Sequence, residues 1–200
     1  MRIAGGEFRG RVLHAPKGLD VRPTQDRVRE ALFSMLQNEI GGARFLDLFA
    51  GSGSVGLEAL SRGAATATFV EQSPHSLASI AKNIAMLKAE PRCTTIRADV
   101  YAWLAATRDD SLCFDIVYAD PPYALGAERG YADMLANLAE RGVVRPGGLF
   151  IAEMRQGQTP DTSPAWELCR DRTYGQTRLA VYARKRVHDL FDTPCARDGG

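Results

Sequence analysis

The sequence predicts an α/β fold, a seven-stranded, mostly parallel sheet covered by helices on both faces and closed by an antiparallel hairpin. Three observations carry that prediction. Strand-like and helix-like patterns alternate from residue 44 to residue 154, a glycine-rich turn follows the first strand, and two further strand-like runs come last with no helix between them. Sequential β-α steps of this kind build parallel sheets buried on both faces. Length agrees, because 200 residues with 45% hydrophobic side chains make one such domain and bury roughly 70% of the surface the unfolded chain exposes.

Residues 1–22 hold short β-like pieces broken by Gly5-Gly6, Gly10, Pro16 and Gly18, the mark of a hairpin or arm. Thr24 is expected to cap a helix over 26–39, since Val28, Ala31, Leu32, Met35 and Leu36 recur at helical spacing and Gly41-Gly42 stops the run. RFLDLF then reads as a strand, followed by a helix to about Arg62 closed by Gly63, the strand ATATFVE, and a helix opened by Ser73-Pro74. CTTIRA, a short helix through Trp103, FDIVYA, a helix over 131–141 and GGLFIAEM continue the rhythm. WELCRDRTY and TRLAVYARK, joined through Gly175, read as the closing hairpin. The expected organisation is an arm at 1–22 packed on one domain at 23–185, with a disordered tail at 186–200.

Net charge is +1, too small for a surface generally coated in nucleic acid, but it is unevenly placed. Residues 1–29 set Arg2, Arg9, Arg11, Lys17, Arg22, Arg27 and Arg29 against Glu7, Asp20 and Asp26, so seven minus three gives +4 there and −3 elsewhere. The four cysteines and three histidines are scattered without a CxxC pair, so neither a metal site nor a disulfide framework is expected. The first residues lack the apolar core of a signal peptide, and no window approaches the roughly 20 apolar residues of a membrane span. A soluble cytoplasmic protein is expected.

In open α/β sheets the first β-α turn is the usual ligand seat. Here that turn carries Gly51, Gly53 and Gly56, which let backbone approach a ligand and expose helix N-terminal N–H groups to it. Glu71, twenty residues past Gly51 at the next strand end, can accept hydrogen bonds from both ribose hydroxyls. Those features serve NAD and S-adenosylmethionine alike. Asp47 discriminates, because a carboxylate there opposes a pyrophosphate but complements an ammonium and a sulfonium. Asp99, after the third strand, suits an adenine amino group, with Val100 beside the ring. The plainer alternatives are a ligand-free turn, a buried hydrogen-bonding acid at Asp47, and helix caps at Glu71 and Asp99.

A second motif, Asp120-Pro121-Pro122-Tyr123, ends FDIVYA at the same sheet edge. An exocyclic amino group is a poor nucleophile because its lone pair is delocalised into the ring. The Asp120 carboxylate and the Pro121 carbonyl can accept its two hydrogens and aim the nitrogen at a donor methyl, while Tyr123 offers a stacking face worth about 1–3 kcal/mol. The prolines stiffen the loop that holds those acceptors. A Pro-Pro turn that merely ends a strand is the alternative.

With MRIAGGEFRGR at the start, RPTQDRVREALFSML at 22–36, LDLFAGSGSVGLEALSRGA at 46–64 and ADPPY at 119–123, the chain resembles the bacterial small-subunit ribosomal RNA guanine-N2 methyltransferases of the RsmD type. The resemblance covers residues 1 to about 185. It implies a class I S-adenosylmethionine-dependent, Rossmann-like methyltransferase fold and methylation of a guanine N2 in 16S rRNA, within an assembled or nearly assembled small subunit, with ribosomal proteins near the target as candidate further partners. The cofactor set is then Asp47, Phe49, Ala50, Gly51, Gly53, Glu71, Gln72, Asp99 and Val100. Asp120, Pro121, Pro122 and Tyr123 form the catalytic set. Arg2, Arg9, Arg11, Arg22, Thr24, Arg27 and Arg29 are the RNA-binding set on a monomer, although Arg27 and Arg29 can instead pair with Asp26 and Glu30. A DNA adenine-N6 methyltransferase, a non-catalytic assembly factor and a dehydrogenase stay open as other readings.

Overall fold

Strand β1, Arg44–Leu48, buries four of its five side chains, which requires a strand on each side and a cover on each face. In the computed structural model, which describes residues 1–15, 23–107, 112–122 and 131–186, it has both. Parallel neighbours β2, Thr66–Glu71, and β4, Phe114–Ala119, pair with it so that Leu48 lies opposite both Val70 and Ala119. Outside them run β3, Cys93–Arg97, and β5, Val144–Arg155, also parallel. The last two strands, β6 (Trp166–Tyr174) and β7 (Thr177–Arg184), form an antiparallel hairpin with β7 on β5, giving the order β3-β2-β1-β4-β5-β7-β6. This is the sheet that the sequence predicts.

Successive residues on a strand point to opposite faces. Phe45, Phe69, Ile116 and Ile151 therefore join one apolar cluster with the arm and with α1 (Pro23–Met35), α2 (Ser54–Ser61) and α3 (Pro74–Leu87). Their neighbours Leu46, Val70, Val117 and Phe150 join the other, under α4 (Val100–Ala106) and α5 (Ala132–Glu140).

Three boundaries differ from expectation. Helix α1 begins at Pro23, whose fixed φ suits a first helical turn, so Thr24 lies inside the helix and is not its cap. Residues 36–39 form a turn in which the Glu39 and Ile40 N–H groups both donate to the Leu36 carbonyl. Strand β5 starts at Val144, before GGLFIAEM, because Val144 pairs with Phe114 across an irregularity in the ladder.

Residues 1–15 make a hairpin with one bridge, Arg2 to Val12, and bury Ile3, Phe8 and Leu13. So short a ladder needs other anchors. The fully buried Glu58 on α2 accepts from the Ala4 N–H at 2.8 Å, the Gly5 N–H at 2.9 Å and Arg62 Nε at 2.7 Å. Ser61 donates to the Gly5 carbonyl and accepts from the Phe8 N–H. Gly6 has φ +77° and a Cβ there would sit 1.7 Å from the Ser61 carbonyl oxygen, so only glycine permits this approach.

Arg29 completes the anchor. It is 5% exposed, donates to the Arg2 carbonyl at 2.6 Å and to Asp26 at 3.0 Å, and sits 3.5 Å from Glu58. Its expected place among phosphate-binding residues is corrected, because its guanidinium is spent inside the fold. Removing it leaves the Arg2 carbonyl and part of the Glu58 charge uncompensated. Arg29→Ala is expected to cost about 2–4 kcal/mol, read as a Tm lowered by several degrees, whereas Arg27→Ala, on the exposed side of α1, should leave Tm unchanged.

Candidate active site

The glycine turn connects β1 to α2 with Phe49 at φ 60°, Gly51 at φ 56° and Gly53 at φ 77°. Phe49 is the unusual one, since a bulky residue pays for a left-handed backbone. By strand alternation its side chain would fall on the face shared by Asp47, between the tips of β2 and β4. The turn instead carries its ring to the opposite face, where it packs edge-on against Tyr101 with centroids 5.8 Å apart. The space above Asp47 is thereby kept clear of the Phe49 ring. Gly56, one turn into α2, lies against Phe69 so closely that a Cβ would be 2.4 Å from the ring, which fixes the helix start on the sheet.

Asp47 is buried on β1, and its Oδ2 accepts from the Gly56 N–H at 2.9 Å. Burial pushes its carboxyl up to about 8, opposed by that hydrogen bond and helped by the nearby Glu71 charge. A cation seated beside it would draw the proton off. Glu71 ends β2 and ties the loop down: Oε2 accepts from the Gly51 N–H at 2.9 Å and Oε1 from the Ser73 N–H at 2.7 Å. Each oxygen keeps a further lone pair for a hydroxyl donor. Asp99 is the N-cap of α4, its Oδ1 accepting from the Ala102 N–H at 2.9 Å while the residue stays exposed; Val100 behind it is buried. Asp47 is therefore a buried hydrogen-bonding acid and Asp99 a cap, and neither role uses all of their acceptor capacity. Ala50 is buried in the turn and Gln72 is exposed just past Glu71.

Asp120 follows β4 at the same edge, next to the residue that opens the glycine turn, because Ala119 pairs with Leu48. Pro121 is buried and Pro122 exposed. Burial drives the Asp120 carboxyl well above the usual carboxylate range, reinforced by Glu153 and Asp47. Tyr123 and Arg22 lie outside the described residues, as does the Thr24 side chain. Sequence reasoning missed Glu153. It ends the apolar run of β5 one residue past Ala152, the partner of Ala119, and so flanks Asp120. The Tyr118 hydroxyl donates to its carboxylate and the Tyr131 hydroxyl to its carbonyl. Its signal was an acid late in a hydrophobic strand, the pattern that marks Asp47 and Glu71.

Of the expected RNA-binding arginines, Arg2, Arg9, Arg11 and Arg27 are exposed. No cluster of metal-ligating side chains occurs among the described residues, and no helix there is long and apolar enough to cross a membrane.

The sequence that carries this arm and glycine turn matches a known family. The profile described as conserved hypothetical protein 95 matches residues 1–183. The chain belongs to that family, the RsmD family. Among RsmD-family relatives, ribosomal RNA small subunit methyltransferase D of Escherichia coli (strain K12) is 38% identical over 187 residues, 92% of this chain and 90% of that protein. The protein of the same name from Haemophilus influenzae is 33% identical over 184 residues, 91% of this chain and 93% of that one. The solved structure of yhhF from Escherichia coli superposes with a TM-score of 0.78 at 36% identity, covering 92% of this chain and 98% of that chain.

The raised Asp47 carboxyl has a measurable consequence. Its pKa is about 8 in the folded chain and near 3.8 unfolded, so folding takes up a proton between those values and stability falls as pH rises through that window. Asp47→Asn removes the linkage and still accepts from Gly56. Its Tm should match the unaltered protein near pH 4, exceed it increasingly up to pH 8, and level off above; a pH-independent difference would contradict the assignment.

Proposed function

We propose that this chain transfers a methyl group from S-adenosylmethionine to the exocyclic N2 of a guanine in small-subunit ribosomal RNA, within an assembled or nearly assembled subunit. The observation that carries the reading is the adjacency of two strand tips, the glycine turn after β1 and Asp120-Pro121 after β4, locked together by the Leu48 to Ala119 pairing. Relatives named for small-subunit ribosomal RNA methylation supply the substrate class.

The residues present fit the cofactor. Asp47 would meet its ammonium, Glu71 its ribose hydroxyls, and Asp99 with Val100 its adenine, while the turn at Gly51 and Gly53 would let backbone lie against it. Bound there, S-adenosylmethionine would supply an electrophilic methyl group whose leaving group is a neutral thioether. Asp120 and the Pro121 carbonyl accept the two amino hydrogens, which directs the N2 lone pair towards the methyl. As the new N–C bond forms, positive charge appears on nitrogen and one hydrogen leaves to the Asp120 carboxylate; burial beside Glu153 and Asp47 favours the neutral acid, so the nearby positive charge of the cofactor is what would hold Asp120 ionised and ready to take the proton. Tyr123 is assigned to stack on the guanine. Arg9 and Arg11 on the arm neutralise phosphates around it.

Small subunits from a strain lacking the gene should accept radiolabelled methyl groups, and digestion with mass spectrometry should find N2-methylguanine. Label entering duplex DNA at adenine N6, or none entering the subunit, would defeat the proposal. Asp120→Ala should lower kcat about 100-fold or more with affinity for S-adenosylhomocysteine changed less than threefold. Arg11→Ala should weaken subunit binding and reduce the slope of log K against log salt by about one, with Tm unaffected.

A further inference from the structure

Asn83 is a fully buried amide on α3, a position where asparagine is a poor helix former and no solvent can satisfy it. Its bonds leave the helix. Oδ1 accepts from the His14 N–H at 2.7 Å, and Nδ2 donates to the His14 carbonyl at 2.9 Å and to the Ser52 carbonyl at 3.0 Å. The paired bonds to His14 imitate one rung of a β-ladder and so grip the arm by its main chain. The third bond enters the glycine turn at Ser52, whose neighbour Gly51 donates to Glu71. A hydrogen-bonded run thus connects the arm to the acid at the tip of β2. The other anchor points the same way, because Glu58, which holds Ala4 and Gly5, stands on the helix that the turn opens. Arg9 and Arg11 are exposed between the two anchors.

We infer that Asn83 is a positioning residue that couples the arm to the glycine turn, so that cofactor and RNA reinforce each other's binding. A ligand that orders the turn fixes the Ser52 carbonyl, and through the amide it lowers the freedom of the arm, so RNA meets a surface already ordered. Linkage makes the effect reciprocal. Aspartate has no donors for the two carbonyls and leucine has neither donor nor acceptor, so only a carboxamide of this length makes all three bonds. The inference rests on the proposed function, which assigns cofactor to the turn and RNA to the arm.

Two measurements test it. In the unaltered protein, saturating S-adenosylhomocysteine should slow amide hydrogen exchange at Gly51 and Gly53 and also at Ile3, Leu13 and His14 on the arm. Slowing in the turn alone overturns the coupling. No slowing in the turn means that the cofactor does not bind there, which defeats the functional reading first. In binding to small subunits that lack the methyl group, S-adenosylhomocysteine should tighten the unaltered protein about fivefold or more, and Asn83→Asp should reduce that ratio to below twofold while each ligand alone still binds. A ratio unchanged by the substitution overturns the inference. If the variant does not fold, the exchange experiment on the unaltered chain decides.

Discussion

The register of four parallel strands governs this molecule. Val70, Leu48, Ala119 and Ala152 lie side by side across β2, β1, β4 and β5, so by strand alternation the residues that follow three of them, Glu71, Asp120 and Glu153, fall on the face that also carries Asp47. Neighbouring strands are about 4.8 Å apart, and like charges at such spacing repel by about 3 kcal/mol per pair at an effective dielectric constant of about 20. The fold concentrates acid where it is least comfortable. Shared burial raises the Asp47, Asp120 and Glu153 carboxyls together, and a positively charged ligand seated there would relieve what packing alone does not.

The arm is attached by polar side chains from the helices beneath it. Glu58, Ser61 and Asn83 reach up to satisfy main-chain groups of residues 4–14, and Arg29 braces Glu58 from α1. Apolar burial of Ile3, Phe8 and Leu13 gives adhesion without direction. The hydrogen bonds supply the direction, because each donor and acceptor tolerates one placement of the hairpin.

Patterns confined to a few consecutive residues were legible. RFLDL and FDIVYA announce buried strands, the glycines announce the turn, and acids late in strands announce Asp47 and Glu71. What escaped depends on partners far away in the chain. Glu58 and Asn83 look like ordinary polar residues on helices, yet their partners on the arm lie 53 to 69 residues earlier. Arg29 reads as one more member of a basic run until Glu58 arrives beneath it. Glu153 carries the right local signature, and only the pairing of β4 with β5 reveals that it stands beside Asp120. The displaced start of α1 is a local miss, where proline at the first turn outweighed threonine as a cap.

The order of strands also constrains how the chain is made. β7, the last strand among the described residues, sits between β5 and β6, and neither of those can complete its ladder before it appears. A nascent polypeptide emerging from its ribosome therefore keeps the outer edge of β5 unpaired until synthesis has passed residue 184. Such an edge invites intermolecular pairing. The sheet cannot seal before β7 has been made, which places a premium on rapid elongation or chaperone cover over residues 156–184.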